Sequence, residues 1–397
     1  MIKTILKSDY LPMTVALFIS FFGHGMGGMI ISQNRSILEL QWNNPAIFGT
    51  IMSMIGWGRL ATFFIAGKLS DVWGRKLFII LGSVVYIVGL IGMSFSTTLF
   101  SASFYALMFG VANSFLDVGI YPALIEAFPQ VSKKINTALV IFLRIAQLIL
   151  PILMLALFSG TGLGINFRIS FWMIAAIFTL NLILVIPAKF PDKELIIKID
   201  KKERSNLRLL FTIEGFAFII YGFISMATFM IIQQFSNRFG EAVLNMSPDM
   251  ANFIPTFFAT GSIIGVLSSI AAQNRYKAVD VMVALTSISV IATLLVRFYP
   301  TIPTLIIGTA LIGFAAAGGV MQMGLTLMTE VIPIGKGLIS GIYLSMGSFA
   351  SIYIPRIVTT IEQNNHLNVM LFNAILAVTG LICAIIINIR YKHHSRP

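Results

Sequence analysis

Apolar runs of bilayer-spanning length follow one another along almost the whole chain. They fall at about 11–32, 47–66, 77–97, 99–127, 135–158, 168–188, 209–235, 250–272, 279–298, 301–328, 337–360 and 367–389. A helix needs about 20 such residues to cross the hydrocarbon of a bilayer. Backbone polar groups have no water to bond there, so each run folds on itself as a helix. Only 11% of the 397 residues are charged and 57% are hydrophobic, where a soluble domain carries about 25% charged residues. The sequence therefore predicts an all-α membrane protein of about twelve transmembrane helices. The first run has no small-residue cleavage pattern and reads as a retained helix rather than a cleaved signal.

The basic residues orient these spans. With the N-terminus in the cytoplasm, the inner segments hold Lys3, Lys7, Lys68, Arg75, Lys76, Lys133, Lys134, the Lys and Arg of 189–208, Arg275, Lys277, Lys336, Arg390, Lys392 and Arg396. The outer segments hold only Arg35, Arg168, Arg238 and Arg297. An asymmetry of about five to one places both termini inside and agrees with an even number of spans. The stretch 189–208, KFPDKELIIKIDKKERSNLR, is the one long charged connector. It divides the chain into an N-terminal six-helix bundle at 1–188 and a C-terminal six-helix bundle at 209–397, and its charge suits anionic lipid headgroups.

A weak internal repeat supports that division. With a shift of about 204 residues, Glu126 meets Glu330, Pro129 meets Pro333 and Pro151 meets Pro355. Gly110 and Gly313 open similar runs one residue out of that register. Parallel repeats of this kind fit two pseudo-symmetric bundles, with a solute held between them near the membrane midplane.

Between the second and third runs lies Gly67-Lys68-Leu69-Ser70-Asp71-Val72-Trp73-Gly74-Arg75-Lys76. It reads as a short inner turn in which glycines let two helix ends approach and opposite charges pair or part as the helices move. The pattern Gly-x-Leu-x-Asp-x-x-Gly-Arg-Lys resembles the loop signature of the major facilitator superfamily and sits where that family has it. The resemblance implies the MFS fold and transport by alternating access. It makes Gly67, Asp71, Gly74, Arg75 and Lys76 gating residues. Glu126, at the inner end of the fourth run, is the expected partner of Arg75, with Glu330 and Arg275 as the matching pair in the second half.

Ionisable groups inside a membrane need a partner, a wet cavity or a function. Arg59, Asp117 and Arg144 fall at similar depth on the second, fourth and fifth runs, about 12–15 Å from the inner end. Two arginines against one aspartate suit an anionic solute, with Arg59 or Arg144 gripping a carboxylate. Asp117 is the titratable candidate for proton coupling. The run Leu116-Asp117-Val118-Gly119-Ile120-Tyr121-Pro122 resembles the fourth-helix segment of fucose–proton symporter-like facilitators, which implies that same role for Asp117. Those relatives also carry an acid on the first helix, where this chain has only His24. The competing reading is a static ion pair of Asp117 with Arg59 or Arg144 that pins helices together.

His24, among glycines, is a candidate solute contact, and Gly25 and Gly28 are candidate points of close helix packing. Gln233, Gln234 and Asn237 on the seventh run and Gln322 on the tenth are candidate hydroxyl-binding groups, against the alternative of inter-helix hydrogen bonds. Gln33 and Asn34 are expected at the outer mouth. Glu214 is expected at the inner end of the seventh run and Arg356 near the outer end of the eleventh.

Other chemistries are disfavoured. The single Cys383 makes no internal disulfide and has no metal-ligand spacing. No glycine-rich phosphate loop ending in Lys-Ser/Thr is present, so direct drive by ATP is excluded. The basic residues track one membrane face, which argues against nucleic acid. No enzyme activity, cofactor or metal is expected, and a monomer in the cell membrane is. The fifth run lacks the glycine-rich pattern of resembling exporters, which favours uptake. Overall the chain resembles bacterial sugar and organic-acid facilitators, some of them encoded beside quinate and shikimate genes. The expected activity is proton-linked import of a hydroxylated organic acid or a sugar. Proton-driven drug efflux, or a non-transporting sensor or lipid-handling protein on the same scaffold, are the rivals.

Overall fold

The computed structural model describes residues 5, 8–44, 47–158, 166–191, 210–273, 275–332 and 336–394. Positions 192–208 of the expected connector and Pro333 lie outside the described residues, as do the side chains of Lys133 and Gln322. Two compact units result, Met1–Ile199 and Asp200–Pro397.

The first unit contains α1 (Leu11–Gln33), α2 (Arg35–Trp42), α3 (Phe48–Trp73), α4 (Arg75–Phe95), α5 (Leu99–Ala127), α6 (Ser132–Phe158) and α7 (Arg168–Val185). The second contains α8 (Ile213–Leu244), α9 (Pro248–Gln273), α10 (Ala278–Phe298), α11 (Ile302–Ile312), α12 (Met321–Val331), α13 (Lys336–Asn364) and α14 (Leu367–His394). A π-helical segment, Gly313–Val320, joins α11 to α12, so the tenth apolar run is one rod in three parts. Among the described residues there is no strand, and ten helices are long and apolar enough to cross a membrane.

Each unit repeats one pattern of helix pairing. In the first, α3 packs on α5, α4 on α5 and α7, and α1 on α6 and α7. In the second, α9 packs on α11 and the π segment, α10 on α11 and α14, and α8 on α13 and α14. The α3–α5 pair is drawn together by glycines. A Cβ on Gly58 would strike the Leu107 carbonyl, and one on Gly110 the Ile55 carbonyl. Gly261 and Gly313 do the same in the second unit, against Ala310 and Phe258. Helices α5 and α11 open on matching capping boxes, Thr98 with Ser101 and Thr301 with Thr304. Each side chain accepts from the other residue's backbone amide, so two otherwise orphan N–H groups are satisfied.

The signature stretch is not a loop. Helix α3 continues to Trp73 and α4 begins at Arg75, so the turn is Gly74 alone. Its φ of 98° requires a residue without Cβ. Gly67 lies inside α3 with open space where a Cβ would stand, so close approach does not explain it. The short helix α2 was not foreseen. It follows a break at Asn34 and ends at Asn43 in the left-handed region, as α8 ends at Asn245.

Candidate transport site

The glycine crossing of α3 and α5 builds the centre of the first unit. Gly110 presses on the backbone amide of Arg59, and Ser114 Oγ donates to the Arg59 carbonyl at 3.1 Å. Two turns along α5 from Gly110, Asp117 Oδ2 accepts from Arg59 Nη2 at 2.7 Å. The side chains are 29% and 14% exposed, so the pair is sheltered yet reachable. Of the two static partners considered for Asp117, Arg59 is the one in contact. Arg144 on α6 donates instead to Gln147 Oε1 one turn away, at 2.8 Å.

Aromatic and polar groups surround this pair. His24 on α1, Tyr86 on α4 and Tyr121 on α5 all lie within electrostatic reach of Asp117 and Arg59. Tyr121 is also within reach of Arg144. The His24 ring stands 5.3 Å from Phe21 and 6.2 Å from Tyr86, and its Nδ1 has no partner among the described residues. Phe21 meets Tyr121 edge-on at 5.1 Å, and Tyr86 stacks on Phe178 at 4.5 Å. Sequence reasoning reached the three charges and His24 but missed Tyr86, Tyr121 and Gln147. An aromatic or amide in an apolar run gives no signal of which way it faces.

At the inner end, Arg75 is held from three sides. Its Nη2 meets Asp71 Oδ1 at 2.5 Å, its Nε meets Glu126 Oε1 at 3.1 Å, and its Nη1 donates to Ser70 Oγ at 3.0 Å. Ser70 Oγ in turn donates to the Val118 carbonyl on α5, next to Asp117. Lys76 donates to the Ala188 carbonyl just past α7, at 3.0 Å. The matching pair in the second unit does not form. Glu330 and Arg275 are both exposed and make no ion pair with each other. The second turn carries neither the acid nor the glycine of the first, and among the described residues no side chain pairs with Arg275.

Other candidates resolve less evenly. Gln33 and Asn34, expected at a wet mouth, are buried. Asn34 donates to the Ile30 carbonyl and to Ser170 Oγ on α7. Asn237 donates to Asn252 Oδ1 on α9 at 2.9 Å, so it serves an inter-helix bond. Gln233 is buried, and Gln234 keeps an Oε1 without a partner among the described residues. Glu214 meets Arg390 at 3.5 Å, and Arg356 is exposed. Gly25 packs against the Leu143 carbonyl on α6, whereas Gly28 has open space beside it. A buried pair not foreseen, Arg35 with Glu39 at 2.7 Å on α2, has its guanidinium 4.2 Å from the centre of the Phe48 ring.

The sequence profile of the Major Facilitator Superfamily matches residues 13–355. The chain belongs to the major facilitator superfamily. It is a multi-pass membrane transporter of that family. The inner membrane transport protein YdiM of Escherichia coli (strain K12) is 33% identical, with 98% of each chain covered. The uncharacterized MFS-type transporter YfkL of Bacillus subtilis (strain 168) is 31% identical, over 95% of this chain and 96% of its own. Among solved structures, the nucleoside transporter NupG superposes with a TM-score of 0.75 at 14% identity, covering 96% of this chain and 100% of that one. The D-xylose-proton symporter superposes with the same score at 13% identity, covering 96% and 97%. These two likenesses speak to the fold, which is the MFS fold of two pseudo-symmetric six-helix bundles.

Proposed function

We propose that this major facilitator carries a hydroxylated monocarboxylic acid of the shikimate or quinate type inward together with a proton. The Arg59–Asp117 ion pair is the observation that carries the reading. A carboxylate that already occupies an arginine competes with a solute carboxylate for the same fork of donors. When Asp117 takes a proton it gives up its charge, and Arg59 is released to the solute. Proton binding thereby precedes and permits solute binding. Arg144, steadied by Gln147, supplies the second positive charge, and the aromatic groups Tyr86 and Tyr121 wall the site. His24, with an unpartnered Nδ1, is placed to meet a solute hydroxyl or to hand a proton to Asp117.

The inner ion pairs Arg75–Asp71 and Arg75–Glu126 serve as the gate in this scheme. They hold α3, α4 and α5 together in one state and part in another. The two six-helix bundles, joined through 189–208, are the moving bodies of an alternating-access cycle. The protein resides in the inner or plasma membrane as a monomer with both termini cytoplasmic. The basic-residue asymmetry and the likeness to the inner membrane transport protein YdiM support that placement.

The test is a thermal-shift panel on purified protein with shikimate, quinate, D-xylose and a cationic drug at several pH values. Stabilisation by the two acids, growing as the pH falls and lost in Arg59→Gln, is expected. Stabilisation by the acids that survives both Arg59→Gln and Arg144→Gln overturns the carboxylate reading. Stabilisation by the sugar or the drug alone moves the assignment to that class.

A further inference from the structure

The two units share one register up to a definite point and then differ by a residue. Adding 203 to Gly58, Thr98 and Gly110 gives Gly261, Thr301 and Gly313, which play the same packing and capping roles. Adding 204 to Glu126 and Pro151 gives Glu330 and Pro355. The extra residue therefore enters between Gly313 and Glu330. That interval holds the π segment Gly313–Val320, whereas the matching part of α5 is α-helical throughout. A π turn is how a helix accommodates one inserted residue without breaking, and such turns collect at functional positions.

A cavity adjoins this insertion. It offers about 20 Å³ of room, enough for about one water molecule, and is lined by Tyr221, Ser225, Thr228, Thr286 and Ser289 and the apolar Ile224, Leu285 and Ala377, together with Ala316 and Val320 of the π segment. Tyr221 and Thr286 bond each other at 2.7 Å. Thr228 Oγ1 and Ser289 Oγ, both 4% exposed, have no partner among the described residues. In the first unit the position matching Ser289 is Tyr86, since 86 plus 203 is 289, and its fully buried ring takes up space where the second unit has a hydroxymethyl group.

We propose that the π turn is a movable register insertion, and that the part of α12 it passes turns against α8 when it migrates along the rod. Moving the extra residue from one place to another turns the residues between the two places by about 100° and shifts them by about 1.5 Å. The unpartnered hydroxyls of Thr228 and Ser289 bond backbone groups that lose their helical partners in transit, which lowers the barrier. The residues of α12 that the insertion passes change facing without any break in the helix. This inference concerns the second unit alone and stands or falls apart from the choice of solute.

Hydrogen exchange on the full chain in lipid nanodiscs tests it. Amides of 313–320 are expected to exchange at least about tenfold faster than those of 110–117, because the π segment visits open states. Deleting Ala317 restores the first-unit register and is expected to bring the two rates together. Equal rates in the parent protein, or fast exchange that survives the deletion, overturn the proposal. Should the deletion prevent folding, Ser289→Val adds one methyl group to the cavity instead. It is expected to slow exchange of 313–320 and raise the melting temperature, and unchanged exchange overturns the proposal. In a Cys383→Ser background, spin labels at Thr326 on α12 and Leu267 on α9 are expected to give two distances, collapsing to one in the deleted or filled variant. A single distance in the parent refutes migration.

Discussion

Consider the removal of Arg59 and Asp117 singly and together. A fully buried ion pair that loses one member destabilises a protein by about 3–5 kcal/mol, because the survivor is left charged and alone. A fully exposed pair contributes about 0–1 kcal/mol. Here the side chains are 29% and 14% exposed, so the effect falls between those limits. Asp117→Asn leaves the wetter member charged, and a loss of about 1.5 kcal/mol is expected. Arg59→Gln strands the drier carboxylate, and about 2.5 kcal/mol is expected. The double variant removes both charges and keeps two amides able to bond each other, at about 1 kcal/mol. The coupling energy from the cycle is then about 3 kcal/mol. Reversible unfolding in mixed micelles with added dodecyl sulfate measures all three variants on one scale. If the two single losses add to the double loss within about 0.5 kcal/mol, the groups do not hold each other and the reasoning fails.

Further expectations concern packing and the inner gate. Gly110→Ala and Gly313→Ala each push a methyl into a backbone carbonyl and are expected to cost about 1–3 kcal/mol by the same unfolding assay. Gly67→Ala has room for its Cβ in the interior of α3 and is expected to be neutral or to stabilise by up to about 1 kcal/mol; a loss as large as that of Gly110→Ala would refute the distinction. Glu126→Gln weakens one of the two ion pairs of Arg75, so a cysteine placed at Val118, beneath Ser70, should react several-fold faster with a membrane-permeant maleimide. Lys76→Met releases the carbonyl of Ala188, and amides of 186–190 should exchange faster while those of 79–90 stay protected.

Much of this fold was legible in the sequence because a bilayer leaves so few options. Twelve apolar runs dictate helices, and nearly every boundary fell within a few residues of its run. The signature stretch was misjudged as a loop because its polar residues look like a turn. In fact Lys68, Ser70 and Asp71 extend α3, and the single residue with positive φ, Gly74, does the turning. The ion pair of Asp117 was legible as one of two options, and depth along a helix could not choose between Arg59 and Arg144. Rotation about the helix axis decides it, and that is fixed by Gly58 and Gly110, whose small size was visible but whose contacts were not. The matching gate in the second half was expected from symmetry of charge alone. Symmetry of geometry was needed too, and there the turn chemistry has been lost. The register slip between the halves was visible as a one-residue discrepancy, but its cause required the π segment.

The central claim is that Asp117 trades Arg59 for a proton as the solute's carboxylate takes its place. External pH in lightly buffered proteoliposomes, followed while shikimate or quinate is added, tests this most directly. The account predicts alkalinisation that tracks solute entry in the parent protein. It predicts none in Asp117→Asn, although that variant still exchanges labelled solute across the membrane. Alkalinisation of undiminished size in Asp117→Asn contradicts it.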